Sequence, residues 1–183
     1  MNKHYITAND LLADAFTLAV RIYDSGFRPA VIIGVWRGGT PVAIAVQEYF
    51  EYRGVKTDHI AIRATSYTGI NEQSENIDIY GLEYIYEHVG VHDPLLIIDD
   101  VFDSGRSMDE ILRQLEQNSK RKTADSVRIA CPWFKPGNNK TRLEPDYYLH
   151  ETEDWLVFPH ELVGLTDEEI KAGKKDIGRI IIK

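Results

Sequence analysis

Leu95-Leu96-Ile97-Ile98-Asp99-Asp100-Val101-Phe102-Asp103-Ser104-Gly105-Arg106-Ser107 is the stretch on which the reading of this chain turns. Four apolar residues in a row, without alternation, suit a short strand covered on both faces, as in a parallel sheet. That strand carries Asp99 and Asp100 out of the core at its carboxyl end. A turn rich in hydroxyls and glycine follows, and Ser107 with Glu110 predicts a capping box that opens a helix running to about Glu116. The amides of the turn, the hydroxyls of Ser104 and Ser107 and the positive end of the helix together make a phosphate cradle. Gly105 lets the backbone approach a ligand closely. Two carboxylates beside such a cradle suit a phosphorylated pentose, whose vicinal hydroxyls they can bind directly or through a hard divalent ion.

Working outward, the same strand, loop and helix pattern recurs. Thr7 or Asn9 caps a predicted helix from Asp10 to about Asp24, with Leu11, Ala15, Leu18 and Ile22 on one face. Ala30 to Val35 is a second unbroken apolar run, followed by Trp36-Arg37-Gly38-Gly39 and by Thr40-Pro41, which read as the start of a helix to about Arg53. Ile60, Ile62 and Ala64 alternate as a strand. Ser66 to Asp78 is polar and reads as a mobile loop, and Val127 to Trp133 as a further strand. This order predicts an α/β fold, a twisted parallel sheet flanked by helices. Ligands then sit beyond the carboxyl ends of the strands, in a crevice lined by the loops after Val35, Ala64, Ile98 and Cys131. From Pro132 the texture changes to prolines, aromatic pairs and short segments. We read residues 1–183 as a single domain in which 132–183 form a small hood over the sheet, because that segment is too short for a core of its own. Thr166 and Glu169 form another capping box, and the helix it opens stops at Gly173.

Composition narrows the function. Among 183 residues there are 21 Lys+Arg against 29 Asp+Glu, a formal net charge of −8, which argues against binding along a nucleic-acid backbone. No apolar run approaches the roughly 18 residues needed to cross a bilayer, and no secretion signal follows Met1, so we expect neither a membrane nor a nucleic-acid partner. One cysteine, Cys131, cannot form an internal disulfide, and a cytoplasmic location is expected. The six histidines never pair at ligand spacing, the triphosphatase loop G-x-x-x-x-G-K-[ST] is absent, and Asn139-Lys140-Thr141 reads as a chance glycosylation pattern.

The segment Leu95 to Ser107 resembles the 5-phosphoribosyl-1-pyrophosphate (PRPP) signature of the type I phosphoribosyltransferases, and the order of motifs from Ala30 to about Glu161 is similar to theirs. The resemblance implies that Asp99, Asp100, Asp103, Ser104, Gly105, Arg106 and Ser107 bind PRPP, with Asp99 and Asp100 serving Mg²⁺ and the ribose hydroxyls. For Arg106 the amide matters more than the side chain. Asp103 is implied to be the catalytic acid that handles the proton of the purine ring. Trp36, Arg37, Gly38 and Gly39 match the pyrophosphate loop, with a non-proline cis peptide implied between Trp36 and Arg37. Ser66 and Tyr67 match the head of the family's flexible catalytic loop.

Lys135, Trp155, Leu156 and Glu161 resemble the base-binding elements of the purine members, closest to the hypoxanthine, guanine and xanthine enzymes. There the lysine donates to the 6-oxo group, the aromatic stacks on the base and the next residue's backbone reads its edge. The implied activity is Mg²⁺-dependent transfer of a 5-phosphoribosyl group from PRPP to a 6-oxopurine in purine salvage, by a homodimer or homotetramer. Two other readings stay open: a pyrimidine or orotate transferase of the same fold, and a non-catalytic regulator that senses PRPP.

Overall fold

The computed structural model describes residues 3–67, 76–119 and 122–182. In chain order the elements are β1 (Lys3–Tyr5), α1 (Ala8–Asp24), β2 (Val31–Trp36), α2 (Gly39–Tyr52), β3 (Asp58–Tyr67), β4 (Asn76–Tyr80), α3 (Glu83–His88) and β5 (Leu95–Ile98). There follow β6 (Val101–Phe102), α4 (Arg106–Ser119), α5 (Thr123–Ser126), β7 (Val127–Ala130), β8 (Trp133–Phe134), β9 (His150–Glu151), β10 (Trp155–Val157), α6 (Asp167–Gly173) and α7 (Lys175–Ile181).

The central sheet has the order β4-β3-β2-β5-β7, with β3, β2, β5 and β7 parallel and β4 antiparallel at the edge. The apolar runs have the two-sided burial their composition predicts. From β2 and β5, Ile32, Leu96 and Ile98 point into a core shared with α1 and α2, whereas Val31, Ile33, Val35, Leu95 and Ile97 point into a second core under α3 and α4. All four residues of β5 are fully buried. Each contributes about 2 kcal/mol of apolar burial, which anchors the acidic turn that leaves its end.

Beyond that end the sheet bends and divides. β5 gives way to β6 across Asp99-Asp100, and β7 to β8 across Cys131-Pro132; β6 and β8 pair in parallel, and β9 joins β8. Backbone bonds from Asp99 to Ala130 (3.1 Å) and from Lys135 to Phe102 (2.9 Å) keep the two loops side by side through the bend. The strand expected over Val127 to Trp133 is therefore two strands, broken where Pro132 has no amide to donate.

Other boundaries also differ from expectation. Ser66 and Tyr67 belong to β3, and Asn76 to Asp78 to β4, with Tyr67 opposite Asn76 in an antiparallel register, so the polar stretch is strand at both ends. Residues 68–75 lie outside the described residues, as do the side chains of Ser66 and Tyr67. The helix α2 starts at Gly39 and not at Thr40, whose hydroxyl instead donates to the Arg37 carbonyl at 2.6 Å. The Ser107–Glu110 capping box does not form: α4 begins at Arg106, and the Glu110 carboxylate accepts from Arg113 and Gln114. Thr7 caps α1, and the Thr166–Glu169 box is complete. Among the described residues no helix is long and apolar enough to cross a membrane.

The hood includes more than the C-terminal third. β1 pairs in parallel with β10, Lys3 opposite Trp155, His4 opposite Leu156 and Tyr5 opposite Val157. Gly173, at the end of α6, lies so close to the Tyr5 ring that a Cβ there would come within 2.3 Å of it. The buried Lys174 donates to the carbonyls of Phe158 and Pro159, and burial holds its ammonium below the usual lysine range.

Candidate active site

Two loops meet where the parallel strands end. The loop after β2 contains the cis peptide Trp36–Arg37 and then two glycines that lie against the loop after β5. A Cβ on Gly38 would fall 1.8 Å from Asp100 Oδ2; one on Gly39 would fall 2.2 Å from the Ile98 carbonyl oxygen. Only glycine allows this approach. The Gly39 and Asp100 amides donate to Asp99, the latter at 3.0 Å to Oδ1. Burial and the neighbouring Asp100 carboxylate nonetheless push the Asp99 carboxyl well above the usual carboxylate range. Two carboxyls held this close in a largely dry site favour a cation or hydrogen-bond donors as their partner.

The turn from Asp103 to Ser107 encloses a hollow of about 190 Å³ whose walls include Asp99, Asp103, Ser104, Gly105 and Ser107. Gly105 has φ of +76°, a conformation open to glycine, and its Cα presses on the turn formed by Asn139 and Thr141. Thr141 donates from both its amide and its hydroxyl to Asn139 Oδ1, and the Lys140 amide donates to the Ser104 carbonyl at 2.9 Å. Asn139-Lys140-Thr141, which as sequence suggested only a chance pattern, is thus the buttress of the cradle.

Next to this hollow lies a cavity of about 350 Å³ lined by Asp100, Asp103, Lys135, Trp155, Leu156, Phe158 and Glu161. Asp103 borders both spaces. The Lys135 Nζ is 3.4 Å from Asp103 Oδ2, although the lysine side chain is only 11% exposed. An ammonium so buried needs a charged partner, and Asp103 supplies it. Trp155 is 45% exposed at the cavity rim, while Leu156 is buried. Glu161 is tied into the hood, since its Oε2 accepts the Phe158 amide at 3.1 Å.

The structure brings Asp99, Asp100, Asp103, Ser104, Gly105, Ser107, Lys135, Trp155, Leu156 and Glu161 around two adjoining spaces, with Gly38 and Gly39 behind the carboxylates. It does not bring the side chains of Trp36, Arg37 or Arg106 to the walls of either; Trp36 and Arg37 are exposed, and Arg106 borders a separate groove with Ile77, Asp78 and Asp109. Sequence reading missed His160, whose Nε2 lies 3.3 Å from Asp100 Oδ2 while its ring stacks on Phe158. The only signal was its place beside Glu161, because the partner carboxylate is remote in sequence.

Residues 5–163 match the family described as the phosphoribosyl transferase domain. The chain belongs to that family. Its fold is the type I phosphoribosyltransferase fold. A solved purine phosphoribosyltransferase from Pyrococcus horikoshii superposes with a TM-score of 0.69 at 28% identity, covering 91% of this chain and 99% of that one. A hypothetical protein from Neisseria gonorrhoeae, solved with bound ppGpp, superposes at 0.73 with 19% identity over 96% and 97% of the two chains, a likeness of fold. In sequence, a hypoxanthine-guanine phosphoribosyltransferase of Streptococcus pyogenes is 22% identical over 158 residues, 86% of this phosphoribosyltransferase chain and 82% of its own.

Proposed function

We propose that this phosphoribosyltransferase joins a 6-oxopurine, through N9, to C1 of the ribose of PRPP and releases pyrophosphate. The observation that carries the reading is Asp103, the acid shared between the hollow at the turn 103–107 and the cavity that holds Lys135 and Trp155. In this reading the 5-phosphate occupies the turn 103–107, where the amides and hydroxyls hold its charge without a formal cation. Asp99 and Asp100 face the ribose hydroxyls, and the backbone of the loop from Trp36 to Gly38 receives the pyrophosphate, the Gly39 amide being held by Asp99. Lys135 donates to the 6-oxo group, Trp155 stacks on the ring and the Leu156 backbone reads the base edge. Glu161, on the cavity wall, faces groups at the purine 2-position. Asp103, beside the base and the ribose, accepts the purine proton as the C–N bond forms. Charge develops on the ribose ring and on the leaving pyrophosphate, so fixed dipoles aimed at those positions supply most of the rate.

The donor set fits Mg²⁺. Mg²⁺ commonly relies on one or two carboxylates plus substrate oxygens, and the adjacent carboxyls of Asp99 and Asp100 stand on the walls of the two adjoining spaces. Asp99 and Asp100 would hold it, and when bound it would neutralise charge on the leaving pyrophosphate. A single cysteine, Cys131, cannot form an internal disulfide, which suits a reducing cytoplasm, the site of action we propose.

The test is a panel of hypoxanthine, guanine, xanthine, adenine, uracil and orotate incubated with PRPP, with and without Mg²⁺. Conversion of at least one 6-oxopurine, dependent on Mg²⁺, is expected. Turnover of uracil or orotate but no purine would transfer the chain to the pyrimidine side of the family. PRPP binding with no turnover of any base would make it a sensor.

A further inference from the structure

The base-stacking aromatic assigned above has a partner outside the cavity. Trp155 stands in β10 directly opposite Lys3 in β1, and in a parallel pair residues in register present their side chains on the same face. The Lys3 ammonium lies over the Trp155 indole, 5.3 Å from the ring centroid, within the range of a cation–π contact. Lys3 is not among the residues that line the cavity, so it meets the ring from outside.

The ammonium is itself held. Its Nζ is 2.5 Å from Glu169 Oε1, and Glu169 is fixed in turn because its Oε2 accepts the Thr166 amide at 2.9 Å in the capping box of α6. A rim tryptophan that is 45% exposed would otherwise sample several rotamers, and a base stacking on it would bear the cost of ordering it. Here the start of the chain, the start of α6 and the indole form one chain of contacts.

The geometry points to Lys3 as a positioning residue for base recognition: clamped by Glu169, it holds the Trp155 indole ready to stack on the purine. The role rests on the purine reading of the cavity. It acts on the base and leaves the PRPP cradle alone, since the ion pair and the ring contact of Lys3 go to Glu169 and Trp155, outside the turn 99–107.

In the full chain, Lys3→Ala is expected to raise the KM for the preferred 6-oxopurine about fivefold and to move the PRPP KM less than about twofold. Lys3→Arg keeps a cation over the ring and should restore the purine KM. A second readout is independent of turnover: the part of the tryptophan emission that Trp155→Phe removes should shift to the red in Lys3→Ala. Should Lys3→Ala not fold, Glu169→Gln removes the charge that holds the ammonium, keeps an acceptor for Thr166, and is expected to shift the purine KM and the emission in the same directions. An unchanged purine KM and emission, or equal rises in both KM values, overturns the positioning role. A wild-type chain that converts no 6-oxopurine overturns the functional reading and this role together, whereas normal wild-type turnover with an unaltered Lys3→Ala overturns only the role.

Discussion

The cradle at residues 99–107 and the hood above it are made of opposite materials. The cradle is contiguous in sequence, rises from a fully buried strand and is shaped by glycines whose neighbours leave no room for a side chain. The hood is assembled from residues 3–5, 132–162 and 166–182, joined by the β1–β10 ribbon, the Gly173–Tyr5 contact and the buried Lys174, and it offers the solvent an aromatic rim. A loop built on glycine backbone and buried acids has little backbone freedom, which suits the PRPP part of the proposed reaction. A hood held by side-chain contacts between distant segments can vary residue by residue, which suits the part that changes, the base.

The sharpest way to break this division is at Asp103, the residue the two regions share. Asp103→Asn keeps the shape and an acceptor oxygen but removes the base, and turnover should fall about 100-fold or more with PRPP binding largely kept. Isothermal titration with PRPP beside a steady-state assay would check it. Loss of binding with unchanged turnover per bound substrate would make Asp103 a part of the cradle alone.

The next test lies inside the cradle. At Gly38 a methyl group collides with a carboxylate that can rotate, whereas at Gly39 it collides with the Ile98 backbone, which cannot. Gly38→Ala should therefore fold, displace Asp100 from Gly38 and His160, and lower kcat/KM for PRPP about 30-fold, in keeping with about 2 kcal/mol for a charged hydrogen bond. Gly39→Ala should instead cost about 3 kcal/mol of stability, seen as a lower melting temperature before any assay is run. Equal melting temperatures for the two would mean that the loop adapts more freely than its contacts suggest.

In the hood, Trp155→Ala removes stacking worth about 1–3 kcal/mol and should raise the purine KM about tenfold while the PRPP KM changes little. Equal effects on both would make Trp155 a structural member of the hood and weaken the contrast between the regions.

These regions also differed in how far they could be read from residues alone. The parallel sheet and the cradle were legible because their information is local: unbroken apolar runs, two acids, and a hydroxyl- and glycine-rich turn in thirteen consecutive residues. Where local rules misled, a tertiary contact prevailed. The hydroxyl of Thr40 serves the Arg37 carbonyl instead of capping α2, and Glu110 pairs with Arg113 instead of closing a box with Ser107. The pairing of Lys3 with Trp155, the buttress at Asn139 and Thr141 and the approach of His160 to Asp100 join positions that no periodicity connects. Pro132 was visible, but its effect, dividing one strand into β7 and β8, depended on the neighbouring strand bending with it.

The smallest expected effect belongs to a contact in neither region, and it calibrates the others. Tyr84 in α3 donates its hydroxyl to Asp58 Oδ2 at 2.5 Å, near the start of β3 and away from both substrate spaces. That bond holds the Asp58 carboxyl below its usual range and raises the Tyr84 phenol above its own. A depressed carboxyl contributes stability that is present above its unfolded value and lost as pH falls through the folded one. A raised phenol contributes stability that is lost only as pH climbs through its folded value. The contribution therefore spans the neutral range and fades toward both extremes. Tyr84→Phe should lower the melting temperature at pH 7 by no more than about 2 °C, because an exposed pair is well screened by water. The difference from wild type should close as the medium is acidified below the carboxylate range, and neither substrate KM should move. A change in the purine KM would mean that the hood is coupled to the far edge of the sheet, and that base recognition is less local than the contrast between cradle and hood requires.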